Sequence, residues 1–305
     1  MKYSRPLCTK KQLLLLFSLQ LFLHFSCSTE EIDQKEELQN DDPKKALVLK
    51  DISYGEDPAQ TYDLYLPVNR SKITTKVLVF IHGGGWIQGD KADMQTYIPL
   101  LQQKHPAYAI ANLNYRLARP NNRAAFPNQF QDVKKALKHI EKDGAELGIK
   151  AEFGLIGVSS GGHIALQFDS VYDDEDLVKM VCSIVGPTNF TDPYYIENAD
   201  FLLALDALVN EDAYPANTDY AKTVSPAYRV NTHNSPSILF YGKDDPLVPI
   251  SNGEFLKQKL DASQVPNELT IFEGGHGDWE DKDNESMQNK LGEFIEKYLP
   301  IEQAF

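Results

Sequence analysis

The chain has 305 residues, 42% of them hydrophobic and 10% aromatic, which excludes a wholly disordered polymer and leaves room for one large α/β domain or two small ones. A formal net charge of −14 argues against nucleic acid as a partner, because phosphate binding needs basic patches. Of the three cysteines, Cys8 lies inside the N-terminal stretch 1–26 and Cys27 at its end. Only Cys182 is left for the body, in the apolar run MVCSIVG, where it reads as inert core with no internal disulfide.

The N-terminus carries Lys2, Arg5, Lys10 and Lys11, followed by LLLLFSLQLFLHF from Leu13 to Phe25. That run is shorter than the ~20 residues needed to span a bilayer. Basic head, apolar run and small-residue stop are the order of an export signal, here residues 1–26. The stop, HFSCS, resembles a bacterial lipoprotein processing site at Cys27, with His24 where such sites usually carry leucine. A plain cleaved signal is the alternative. Cleavage before Cys27 removes four basic and no acidic residues, which takes the formal charge from −14 to −18. Residues 27–45, acidic and polar, cannot bury a core and read as a solvated tether. The acidic stretch behind the cysteine resembles a surface-export signal, so the expected location is the outer membrane or cell surface, otherwise the periplasm or medium.

From residue 46 to 305, apolar β-prone runs alternate with helical patterns, which predicts one mostly parallel sheet with helices on both faces. LVLKDISY and TYDLYLPV read as an early strand pair, and KVLVFIHGGGW as a buried strand ending in glycines. YAIANLNYRL is a further strand. In FPNQFQDVKKALKHIEKDGAELG, Phe130, Val133, Leu137 and Ile140 fall at helical spacing. EFGLIGVSS is a strand and GGHIALQF starts a helix. MVCSIVG, PSILFYGKDD and ELTIFEGGHG read as strands, SNGEFLKQKL and SMQNKLGEFIEKYL as helices. Residues 172–234, rich in Asp, Asn, Pro and Tyr, are expected to interrupt this rhythm as a partial cap or a plain surface insertion, with one helix near ADFLLALDALV.

GVSSG, Gly157 to Gly161, matches G-x-S-x-G with Ser159 in the middle, between a strand and a helix. Such a tight turn thrusts the serine hydroxyl into the crevice at the carboxyl end of the sheet. Ser160 fits poorly as the nucleophile, and its backbone N–H is expected to face an oxyanion instead. A hydroxyl needs a base, and the base an orienting carboxylate. Two loops after strands offer them: YGKDDPLVP with Asp245, and FEGGHGDW with His276. Asp244 reads as a solvated neighbour, with Glu273 and Asp278 as outside candidates. Among other histidines, His82 is expected to brace the glycine loop, His163 lies one helical turn beyond Ser159, and His105, His139 and His233 sit in polar contexts that suggest the surface. HGGGW, His82 to Trp86, supplies the remaining requirement: Gly84 and Gly85, with Ser160, are the expected oxyanion N–H donors, Gly83 a lesser one. Trp86 is read as a pocket wall, with a core or rim position as the alternative.

Together these residues resemble the α/β-hydrolase superfamily, in its esterase branch with an HGGG oxyanion loop. HGGGWIQGDK, NYRL, FPNQFQDVKKAL and SSGGHIAL are similar to the bifunctional feruloyl and acetyl-xylan esterase-like (BD-FAE-like) group. The resemblance implies a Ser159–His276–Asp245 triad, a Gly84, Gly85 and Ser160 oxyanion hole, and no metal or organic cofactor. Ser160 stands where such families usually have alanine, and Tyr241 where a histidine often precedes the glycine of the acid strand. The implied reaction is hydrolysis of short acyl or feruloyl esters on polysaccharide fragments, with a lipid at Cys27 as the membrane link. Two alternatives remain at this point: an amide hydrolase, kynurenine-formamidase-like or a small peptidase, and a glycan-binding surface lipoprotein without catalysis.

Overall fold

The computed structural model describes residues 42–119 and 122–302. The expected export signal, Cys27 and the tether up to residue 41 lie outside the described residues. The described chain builds an eight-stranded sheet in the order β1-β2-β4-β3-β5-β6-β7-β8. The strands are β1 (Leu47–Ser53), β2 (Thr61–Leu66), β3 (Val77–Ile81), β4 (Ala109–Leu113), β5 (Phe153–Val158), β6 (Val178–Ile184), β7 (Ser237–Gly242) and β8 (Asn267–Phe272). β2 runs antiparallel to both β1 and β4, and every other pairing is parallel.

Burial explains the strand sequences. VLVFI in β3 and AIANL in β4 are buried at every position, because helices cover both faces of a parallel sheet. β1 and β8 close the two edges, and in β8 only Phe272 is fully buried. On one face, helices α1 (Ile98–Lys104) and α8 (Asp281–Tyr298) set Ile98, Leu101, Met287, Leu291, Phe294 and Ile295 against Leu78, Phe80, Ile156, Cys182 and Phe240. The positions 287, 291, 294 and 295 repeat at i, i+4, i+7 and i+8, one apolar stripe of a helix. Cys182 is free and fully buried there, and burial pushes its thiol up, as inert core requires.

The other face carries α2 (Asn128–Leu147), α3 (Ser160–Val171) and α7 (Ser251–Ala262). α2 buries Phe130, Val133, Leu137 and Ile140 as its spacing predicts, and ends where Gly148 adopts φ 66°. Residues 160–169 of α3 are all buried, so this helix is the central one.

Two expectations are corrected. The strand read from MVCSIVG is β6, and because it lies inside the range 172–234 given to the insertion, the excursion proper runs from residue 185 to the start of β7. It contains α4 (Pro193–Ile196), α5 (Ala199–Leu208) and α6 (Tyr220–Thr223). His105 is not at the surface but buried at 7% exposure, its imidazole against Gly292 of α8 and edge-on to Tyr108. His139 is half-buried and hydrogen-bonded to the Tyr62 hydroxyl at 3.0 Å, while His233 is exposed as expected. Polar neighbours in sequence mislead here because i±1 residues on a helix or its cap face other directions.

Candidate active site

The turn from β5 into α3 is set by close packing. A Cβ at Gly157 would fall 2.2 Å from the Gly161 carbonyl oxygen, and one at Gly161 would fall 2.1 Å from that of Ile81. Only glycine fits at both positions, two residues either side of Ser159. Between them Ser159 takes φ 54°, ψ −122°, a strained conformation for a residue with a side chain. Its N–H is anchored to the Ile184 carbonyl at 2.8 Å, and its own carbonyl accepts from Gly162 and His163 in the first turn of α3. The hydroxyl therefore stands at the carboxyl end of a central strand.

Asp245 and His276 come from the loops after β7 and β8, which are neighbours in the sheet. The Asp244 N–H donates to the Gly274 carbonyl at 2.9 Å and ties the two loops together. His276 Nδ1 lies 2.7 Å from Asp245 Oδ2, and His276 Nε2 lies 2.9 Å from Ser159 Oγ. A carboxylate only accepts, so the proton sits on Nδ1 and Nε2 accepts from the serine hydroxyl. The other carboxylate oxygen of Asp245 accepts from Leu247 N–H at 2.8 Å and Val248 N–H at 2.9 Å. Burial alone would raise this carboxyl. The hydrogen bond from His276 and the two backbone N–H groups outweigh it and hold Asp245 below the usual carboxylate range. Asp244 is exposed, Glu273 pairs with Lys243, and Asp278 accepts from the Gly275 N–H, so none competes for His276.

The HGGGW loop follows β3, next to β5. Gly84, Gly85 and Trp86 have φ of 117°, 57° and 65° in succession. The Gly84 carbonyl closes the turn by accepting from Ile87 and Gln88, and a Cβ at Gly84 would lie 2.0 Å from the Gln88 oxygen. His82 braces the loop: its Nδ1 is 2.7 Å from the Gly83 oxygen, and its ring stacks on Tyr115 at 4.3 Å. Among the described residues, the N–H groups of Gly84, Gly85 and Ser160 donate to no protein acceptor. That of Ser160 opens helix α3, where the helix dipole favours negative charge.

Trp86 is half-buried, its ring edge-on to Phe126, His163 and Phe190. Sequence reasoning missed what holds it: the Trp86 carbonyl accepts from Ala118 N–H at 2.9 Å and from Gln129 Nε2 at 2.8 Å. The sequence leaves open whether Tyr194 and Tyr195 of the excursion line the pocket. Tyr194 donates to the Pro246 carbonyl and Tyr195 to that of Leu247, flanking the Asp245 loop. Tyr241 is buried in β7 and donates to the Gly186 carbonyl. Among the described residues, no group of three or more His, Cys, Asp or Glu side chains could hold a metal ion.

The family model BD-FAE matches residues 62–260. Among curated proteins, the esterase LipC of Mycobacterium tuberculosis (strain ATCC 25618 / H37Rv) is 26% identical over 241 residues, covering 74% of this chain and 59% of its own length. The chain thus spans less than two thirds of that relative. Among solved structures, a bifunctional GH43-CE protein from Bacteroides eggerthii superposes with a TM-score of 0.70 at 24% identity, over 85% of this chain and 36% of the other. An acetyl ester-xyloside bifunctional hydrolase from Caldicellulosiruptor lactoaceticus gives a TM-score of 0.63 at 20% identity, over 81% of this chain and 92% of the other. These structures share the fold. With its eight-stranded, mostly parallel sheet and a family match spanning more than half of its residues, the chain has the α/β-hydrolase fold and belongs to the BD-FAE family.

Proposed function

We propose that the chain is a serine carboxylesterase that cleaves short acyl or feruloyl esters on polysaccharide fragments. The observation that carries this reading is the continuous hydrogen-bonded series from Ser159 Oγ through His276 to Asp245, at the carboxyl ends of β5, β7 and β8. In the proposed reaction Ser159 Oγ attacks the ester carbonyl carbon while its proton passes to His276 Nε2. Asp245 keeps the ring oriented through Nδ1–H and stabilises the imidazolium. The tetrahedral oxyanion takes hydrogen bonds from the N–H groups of Ser160, Gly84 and Gly85, and Trp86 forms a wall beside it. His276 returns the proton to the leaving alkoxide, leaving an acyl-enzyme. Water, deprotonated by the same ring, then releases the acid.

The carbohydrate setting is supported by the family and by the acetyl ester-xyloside hydrolase that shares the fold. Residues 1–45 support export and a lipid on Cys27, so the enzyme would work outside the cytoplasm on a small ester or an esterified oligosaccharide. The test is p-nitrophenyl acetate hydrolysis by the wild type and Ser159→Ala. Loss of about 10⁴-fold or more in kcat is expected; equal turnover would overturn the reading and favour a binding protein. Acetylated xylan, methyl ferulate and N-formylkynurenine tested in parallel separate ester from amide hydrolysis and one acyl group from another.

A further inference from the structure

His163 is fully buried and takes no part in the reaction proposed above, yet it joins three segments of the site. Its backbone N–H donates to the Ser159 carbonyl at 3.2 Å. Its Nδ1 lies 3.1 Å from Trp86 Nε1, and its Nε2 lies 2.7 Å from the Val224 carbonyl, in the excursion after β6. An indole N–H only donates and a carbonyl only accepts. The ring must therefore be neutral, with its proton on Nε2. Phe126, Phe130, Phe190 and Trp86 enclose it with ring centroids 5.1–5.7 Å away, and burial drives its basicity down to about 4.

Trp86 is a bulky residue held at φ 65°, directly after Gly85 at φ 57°. A non-glycine residue in that region costs on the order of 1–3 kcal/mol and persists only where surrounding contacts over-determine it. The hydrogen bonds that hold it are the two to its carbonyl and the one from its indole to His163, with the Phe126 and Phe190 rings packed edge-on against the indole. We infer that His163 is a positioning residue: by accepting from Trp86 and donating to Val224, it locks the left-handed run Gly84–Trp86 in the conformation that presents its N–H groups, and couples that loop to the excursion. The inference rests on the proposed esterase function. A donor array that drifts by about 1 Å loses transition-state stabilisation on the order of 10²-fold, with less effect on ground-state binding of a small ester.

The experiment compares kcat and KM for p-nitrophenyl acetate in the wild type, Ser159→Ala, His163→Leu, His163→Asn, Trp86→Phe and the Trp86→Phe/His163→Leu double variant, each checked by thermal melting. Leucine removes both hydrogen bonds, and asparagine keeps an acceptor near the Nδ1 position. His163→Leu should lose about tenfold to a hundredfold in kcat with KM within about threefold, and His163→Asn should recover most of it. Trp86→Phe should show a comparable loss, and the double variant no more than either single one. A folded His163→Leu with wild-type kcat, an asparagine variant as slow as leucine, or losses that multiply in the double variant would each overturn the positioning role. If His163→Leu does not fold, Trp86→Phe decides alone, because wild-type kcat there removes the proposed link. A wild type no faster than Ser159→Ala would instead overturn the esterase reading itself, and the positioning role with it.

Discussion

Asparagine in place of Asp245 conserves shape and removes one negative charge. Asp245 is fully enclosed, with 0% of its side chain exposed, and its two oxygens have different duties. One accepts two backbone N–H groups at 2.8 and 2.9 Å, and the other accepts His276 Nδ1–H at 2.7 Å. In Asp245→Asn the side-chain amide must keep its single oxygen on the backbone pair, since turning it would set an NH₂ against two N–H donors. That NH₂ then faces His276 Nδ1, which has to accept, so the ring proton moves to Nε2. There it faces Ser159 Oγ at 2.9 Å, and the base can no longer take the serine proton. The expected loss in kcat is about 10⁴-fold, or roughly 5 kcal/mol of transition-state stabilisation. The fold should survive, because volume and the backbone bonds are kept. The sign of the pH effect follows from the depressed carboxyl of Asp245. A folded-state value below the unfolded one contributes stability that is present above the unfolded value and lost as pH falls through the folded one. The stability gap between wild type and Asp245→Asn should therefore shrink on acidification below the usual carboxylate range. Turnover of p-nitrophenyl acetate near neutral pH, with melting curves from neutral to acid, checks both parts. A folded Asp245→Asn that retains kcat within tenfold of the wild type would refute the assignment of Asp245 as the orienting acid.

Gly161→Ala would put a methyl 2.1 Å from the Ile81 oxygen and 2.5 Å from that of His82, both backbone atoms that cannot swing aside. It should cost about 3 kcal/mol or more, read as a large drop in melting temperature or insoluble protein. Gly83→Ala meets its nearest atoms at 3.0 and 3.2 Å and should cost distinctly less, so equal melting temperatures would contradict the packing argument. Asp132 has 0% side-chain exposure and accepts from the Arg116 N–H, the Arg116 guanidinium and Gln60. Asp132→Asn leaves that guanidinium without its counter-charge and should cost about 3 kcal/mol by denaturant unfolding, with an unchanged midpoint as the contrary result.

The candidate nucleophile was legible because G-x-S-x-G between a strand and a helix is a local steric signature: the glycines are needed within five residues of each other. Asp245 and His276 were legible as candidates by topology. Each follows an apolar run long enough to be a buried strand, and parallel strands deliver their loops to one end of the sheet. Local pattern failed where burial depends on partners distant in sequence. Gln129 and Asp132 sit at polar positions of α2 yet are fully buried, because one caps the Trp86 carbonyl and the other receives Arg116. Helical periodicity cannot separate a solvated polar face from one turned inward to hold a loop. Residues 173–176 are loop, as their composition suggests, and Asp173 receives the N–H groups of Leu177 and Val178 at the entry to β6.

Apolar period and backbone space within a few residues were enough to predict the fold class, the chain order of Ser159, Asp245 and His276, and the glycine loop. The tertiary structure alone decided that residues 86, 163 and 224 meet, that Tyr194 and Tyr195 flank the acid loop, and that His105 is buried. Such contacts join positions many residues apart, and a hydrogen bond between them leaves no mark on either local pattern. Its strength comes from enclosure by the rest of the core, which exists only once the chain has folded.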